Sequence, residues 1–197
     1  MRKFVVIAFV LFFGIQSSQA QVKVSPGLRG GLNISTLTNV DSNKSKSDFY
    51  VGGLVDIKFN RFFSLQPEIT YSRQGDEDSY FENGRYYSEK YELNYITFGA
   101  VAKFNFNGGG FHLLAGPSLD LKVGDNYINS NPEDFDLAIV GGVGYTLPNG
   151  LTFEARIKQG LVDIYGYDYY DNDGYYTNDA ILNQVFQIGI SYKFKTK

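Results

Sequence analysis

The chain has 197 residues, 43% hydrophobic and 20% charged, which suits one domain. A net charge of −3 argues against an electrostatic nucleic-acid binder. The absence of Cys excludes disulfides, thiolate metal sites and a Cys nucleophile, and the single His112 excludes any two-His mechanism.

Residues 1–20 read as a secretory leader. Arg2 and Lys3 precede an apolar run from Phe4 to Ile15, and the small residues Ser18 and Ala20 stand where a signal peptidase cuts before Gln21. No later apolar stretch approaches the roughly 20 residues of a membrane helix. The mature chain, residues 21–197, is therefore expected as one domain beyond the inner membrane.

That domain alternates with period two, and an aromatic share of 17% with 22 Gly favours strands and turns. Segment 24–34 sets Val24, Leu28, Leu32 and Ile34 against Arg29 and Asn33. Segment 49–59 sets Phe49, Val51, Val55 and Ile57 against Asp56 and Lys58. Segment 62–72 sets Phe63, Leu65, Ile69 and Tyr71 against Gln66, Glu68 and Ser72, and 96–106 sets Ile96, Phe98, Phe104 and Phe106 against Thr97 and Lys103. The second half repeats the pattern. In 111–121 Phe111, Leu113 and Leu119 oppose His112, Ser118 and Asp120. Segment 137–147 carries Leu137, Ile139, Val143 and Tyr145. In 151–161 Phe153, Ala155 and Ile157 oppose Glu154, Arg156 and Lys158, and in 184–194 Phe186, Ile188, Ile190 and Tyr192 oppose Gln187 and Ser191.

Segments of this length match the roughly 9–11 residues of a tilted membrane-crossing strand. The connections alternate between tight turns (60–61, 107–110, 148–150) and long loops (36–47, 74–91, 123–135, 163–180). The pattern predicts an all-β, eight-stranded antiparallel up-and-down transmembrane barrel in the outer membrane, with short turns and both termini in the periplasm. Phe59, Phe63, Phe106, Phe111 and Phe194 then gather at the periplasmic rim as an aromatic girdle. The competing reading is a secreted soluble eight-stranded barrel that binds a small apolar ligand inside.

Eight strands leave an interior just filled by side chains. Counted from the periplasmic turns, Arg29, Glu68 and Arg156 fall about six to seven residues up, and Asp56, Lys103 and Glu154 about four. Confined opposite charges should pair. These six residues are the expected polar core of a closed lumen.

Several stretches resemble the PorT-like outer-membrane β-barrel family. GLRGGLNIST (27–36) is similar to its Gly-rich first strand, and SLQPEITYSRQG (64–75) to its most distinctive motif. LNYITFGAVAKFNF (93–106) resembles its fourth strand, with Gly99 where Pro is usual. LLAGPSLDL, FDLAIVGGVGYTL and VFQIGISYKF extend the likeness to nearly all of the mature chain. The last strand resembles the signal read by the barrel-insertion machinery, through Gln187, Gly189, Tyr192 and Phe194. The resemblance implies an integral protein of the outer-membrane bilayer; most members have no defined activity, and the named one is associated with secretion.

The residues point to no catalytic, cofactor or metal site. His112, Ser118 and Asp120 climb one strand by about 3.3 Å per residue and cannot form a triad at one level. The acidic loop 167–180 fails the calcium-hand register at Tyr169 and Ala180. The expected role is therefore non-enzymatic, structural or interactive. Eleven of the sixteen Tyr lie in loops 74–91, 123–135 and 163–180. With turn dipeptides at Asn83-Gly84 and Asp173-Gly174, the barrel should extend outward as two ribbons. Their tyrosines, among them Tyr86, Tyr87, Tyr167, Tyr169, Tyr170 and Tyr175, suit a protein or glycan partner.

Overall fold

The computed structural model describes residues 22–39, 43–82, 84–106, 110–127, 132–164 and 180–194. Eight strands follow in chain order: β1 Lys23–Leu37, β2 Asn43–Lys58, β3 Phe63–Glu82, β4 Arg85–Asn105, β5 Phe111–Asp125, β6 Phe135–Thr146, β7 Leu151–Gly160 and β8 Asn183–Lys193. Each pairs antiparallel with its chain neighbour, and β1 pairs with β8 from Gly27↔Lys193 to Leu37↔Asn183, closing the barrel. Closure pairs every strand on both sides within the barrel wall, which a strand structure in hydrocarbon requires.

The tight turns form as their Asn and Gly content dictates. Asn60 Oδ1 accepts the backbone N–H groups of Phe62 and Phe63 at 2.8 and 2.9 Å. Gly150 takes φ 95°, a conformation that costs glycine nothing, and Asn149 Oδ1 accepts the Leu151 N–H. At this end Phe59 stacks on Phe63 at 5.7 Å, Phe106 meets Phe111 at 5.6 Å and Tyr192 meets Phe194 at 5.5 Å.

The long-loop end departs from the alternation in three places. β1 runs on to Leu37 and β2 starts at Asn43, so the first connection is much shorter than 36–47. Ser35, opposite Lys46, holds that extension by bonding the Gly75 carbonyl at 2.7 Å. β3 and β4 reach 20 and 21 residues and stay in register to Glu82↔Arg85. About nine residues of β3 lie beyond an 11-residue span, so this ribbon projects roughly 30 Å. The second expected ribbon, around Asp173-Gly174, lies outside the described residues, and β7 is short. That strand stops at Gly160, where Asp136 Oδ1 accepts the N–H groups of Leu161 and Val162 and turns the chain inward.

The faces are inverted relative to a soluble barrel. Leu28, Ile139, Ile157 and Ile188 are 52–60% exposed on the outside, whereas Gln66, Asp120 and Arg156 are at most 1% exposed inside. An outer wall of bare Ile, Leu and Phe is stable against lipid and not against water. The soluble alternative with an apolar interior is thereby overturned.

Candidate functional site

The lumen is built around Arg156 of β7. Its Nη1 and Nη2 donate to Glu68 Oε1 and Oε2 at 2.7 and 3.2 Å, a bidentate pairing across the barrel. Its Nε and Nη2 donate to Glu154 Oε2 at 3.1 and 2.7 Å. Arg29 Nη1 donates to Glu68 Oε1, and Gln66 Nε2 to Glu68 Oε2 at 3.0 Å. Lys103 Nζ donates to Glu154 Oε1 at 2.5 Å, with His112 Nε2 at 3.5 Å from the same oxygen. The structure thus joins five of the six expected lumen residues, Arg29, Glu68, Lys103, Glu154 and Arg156, in one chain of charges.

Asp56 does not join them. It pairs with Lys193 Nζ at 3.3 Å, near the short-turn rim. The stagger of tilted strands is the reason: Ser25 of β1 faces Asp56, while Gly27 faces Lys193 on the other side. Equal residue counts from the turns therefore do not mean equal height.

Lumen glycines make room for these large groups. Gly99 lies opposite Glu68, and a Cβ there would press on Glu68 Cγ at 3.0 Å. Gly142 and Gly144 leave space for Arg156 and for His112 with Glu154. Gly31 and Gly189 accommodate the ring of Tyr50, over which the Arg29 guanidinium sits at 4.8 Å from the centroid.

Above the ion chain stands an amide ladder. Gln187 Nε2 donates to Asn33 Oδ1 at 2.8 Å, Asn33 Nδ2 to Ser72 Oγ at 2.9 Å, Gln74 Nε2 to the same Ser72 Oγ at 2.9 Å, and Asn183 Nδ2 to Gln74 Oε1 at 2.5 Å. Lys158 pairs with Asp120 on the opposite wall. At the long-loop mouth Leu37, Leu93, Tyr95, Ile164 and Ile181 pack together, with Tyr127 against them. All five are at most 5% exposed. No sequence period marks this apolar plug, because two of its members lie in loops.

Of the tyrosines expected to meet a partner, Tyr87 is 42% exposed on the ribbon, and Tyr86 stands in register with Phe81. Tyr167, Tyr169, Tyr170 and Tyr175 lie outside the described residues, as does the acidic run among them. Between ribbon and barrel, Arg73 binds Glu92 at 2.6 Å and Asp48 at 3.4 Å, and Lys46 binds Asp48 at 2.7 Å. Phe49 and Tyr71 meet just below at 6.2 Å. Among the described residues, no group of three or more His, Cys, Asp or Glu has metal-holding geometry.

A closed eight-stranded barrel with a charged interior, an apolar wall and aromatic rims is an integral outer-membrane protein. The chain belongs to the family defined by the outer membrane protein beta-barrel domain, whose model matches residues 16–166. Its fold is similar to that of Neisserial surface protein A, with a TM-score of 0.54 at 15% identity over 87% of this chain and 99% of that one. It is also similar to Ail, the attachment invasion locus protein of Yersinia pestis, with a TM-score of 0.51 at 12% identity over 87% and 99%. No curated protein matches the sequence.

Proposed function

We propose that this barrel is a non-enzymatic, pore-less interaction protein that carries the β3–β4 ribbon as a recognition surface outside the cell. The observation that carries this reading is the combination of a lumen blocked by ion pairs and capped by the Leu37–Ile181 plug with a ribbon that outruns the membrane. Ionic groups so confined leave no continuous path for solute, and Arg29, Glu68, Lys103, Glu154 and Arg156 are tied to one another. The working surface is then outside. The exposed Tyr87, with the other loop tyrosines, suits contact with a protein or glycan.

In this reading the leader is removed after Ala20, and β8 presents the terminal signal to the insertion machinery. The short turns face the periplasm and the ribbon faces the medium. The motif in 64–75 favours the PorT-like branch, and a link to secretion rests on that likeness alone. Proximity labelling on intact cells tests the role, comparing the full protein with variants shortened at 76–89 and at 165–178. The expected result is loss of specific neighbours at unchanged barrel assembly. Identical neighbours at identical levels would remove the loops as the recognition surface.

A further inference from the structure

Charge is unbalanced at the short-turn end of the barrel. Lys23, at the start of β1, lies directly opposite Lys58, at the end of β2, and both are exposed. Like charges directly opposite on neighbouring strands repel. Arg61 follows in the β2–β3 connection, exposed as well, with its guanidinium 4.5 Å from the centroid of the Phe62 ring. The turns 107–110 and 148–150 contain no Asp or Glu. The carboxylates nearest this end in the strands are taken, Asp56 by Lys193 and Glu154 by Lys103 and Arg156. Among the described residues, Lys23, Lys58, Arg61 and Lys193 against Asp56 leave three positive charges, whichever lysine holds the carboxylate. At the other end Lys46, Arg73, Lys90 and Lys122 each have a carboxylate partner.

These cations stand at the level of the aromatic rim. Lys23 lies between Val22 and Val24, Lys58 precedes Phe59, and Arg61 precedes Phe62 and Phe63. Val22, Val24, Phe62 and Phe63 are 37–51% exposed, and Phe59 stacks on Phe63. Aromatic rings mark the boundary between hydrocarbon and headgroups, and long basic side chains reach from apolar surroundings into the headgroup layer. Only residues 59–62 join β2 to β3, so no loop carries this sector away from the bilayer. A ligand for the three charges therefore lies at headgroup depth. Stacking uses the flat face of the Arg61 guanidinium and leaves the N–H donors along its edge free for a phosphate.

We propose that Lys23, Lys58 and Arg61 form a docking sector for the phosphate of anionic glycerophospholipids in the leaflet that surrounds the short turns. A soluble acidic partner would have to reach charges that headgroups already surround. That this leaflet is the periplasmic one rests on the orientation proposed above; the docking does not depend on it. A basic side chain close to an anionic surface favours it roughly fivefold at low salt. Three support a preference of at least about tenfold for an anionic over a zwitterionic headgroup. The whole chain is acidic, at −3, so bulk charge alone predicts the opposite preference.

Native mass spectrometry tests the sector. The refolded protein in nonionic micelles is mixed with equimolar phosphatidylglycerol and phosphatidylcholine of identical acyl chains, so that only the headgroup differs. Phosphatidylglycerol should be retained at least about tenfold over phosphatidylcholine. Lys23→Gln, Lys58→Gln and Arg61→Gln combined should bring the ratio close to parity, with barrel formation checked by heat-modifiable migration. Lys44→Gln, which removes an exposed cation at the other end, should leave the ratio unchanged. Equal retention by the unmodified protein, an unchanged ratio in the triple variant, or the same loss from Lys44→Gln each overturns the proposal. Displacement of the lipid by millimolar inorganic phosphate or by polyglutamate also overturns it, since the charges would then serve a free anion or a soluble acidic partner.

Discussion

Charge balance, rather than the number of hydrogen bonds, sets the cost of breaking the lumen network. Arg156 makes four hydrogen bonds there, and Glu154 accepts three. A count of bonds ranks Arg156 first. The network holds Arg29, Lys103 and Arg156 against Glu68 and Glu154. Arg156→Met leaves two intact pairs, Arg29 with Glu68 and Lys103 with Glu154, and a side chain that fills the space. Its expected cost is about 1–3 kcal/mol, the loss of charge-assisted bonds without a stranded ion. Glu154→Gln keeps the shape but leaves three buried cations facing Glu68 alone. Its expected cost is about 3–5 kcal/mol, the range for an uncompensated buried charge. Adding Lys103→Met should recover a substantial part of that loss. Urea unfolding of the protein refolded into vesicles gives these differences by linear extrapolation. Far-UV circular dichroism is the signal, since the chain has no Trp. An Arg156→Met variant less stable than Glu154→Gln, or a double variant no better than Glu154→Gln, would refute the reasoning.

Three further outcomes follow from the walls of the barrel. A Cβ at Gly31 would collide with the Ile188 carbonyl and the Tyr50 ring, so Gly31→Ala should cost about 1–3 kcal/mol and reduce the heat-modifiable form on gels. Gly141→Ala meets nothing within 4 Å and should change the urea midpoint by no more than about 0.5 kcal/mol equivalent. Ile188, 52% exposed on the outer wall, should lose about 2–4 kcal/mol on replacement by Arg if it faces mid-bilayer; a near-neutral result in vesicles would place that wall in water.

The strands were legible because alternation survives wherever one face meets lipid and the other the lumen. Residues such as Leu28 beside Arg29, or Ile157 beside Arg156, carry the signal singly. The pairing of Glu68 with Arg156 also followed from charge and approximate height. Asp56 did not, because strand stagger brings it to Lys193 at the chain's end. Lys158 and Asp120 were each recognisable as inward-facing. They sit on strands separated by β6, so no local spacing announces their contact. The plug was hidden for another reason. Leu37, Leu93 and Tyr95 lie just past the ends of the clean alternation, and Ile164 and Ile181 belong to a connection whose composition reads as a solvated loop.

Planar-bilayer recording tests the closed barrel most directly. The refolded protein, inserted and verified by its heat-modifiable migration, should give no sustained single-channel steps at any applied voltage. Glu154→Gln should stay equally silent, since the Leu37–Ile181 plug and the amide ladder still block the lumen. Stable ohmic steps from the unmodified protein would contradict the account, because ions could then pass where Arg156, Glu68 and Glu154 are held to be locked together.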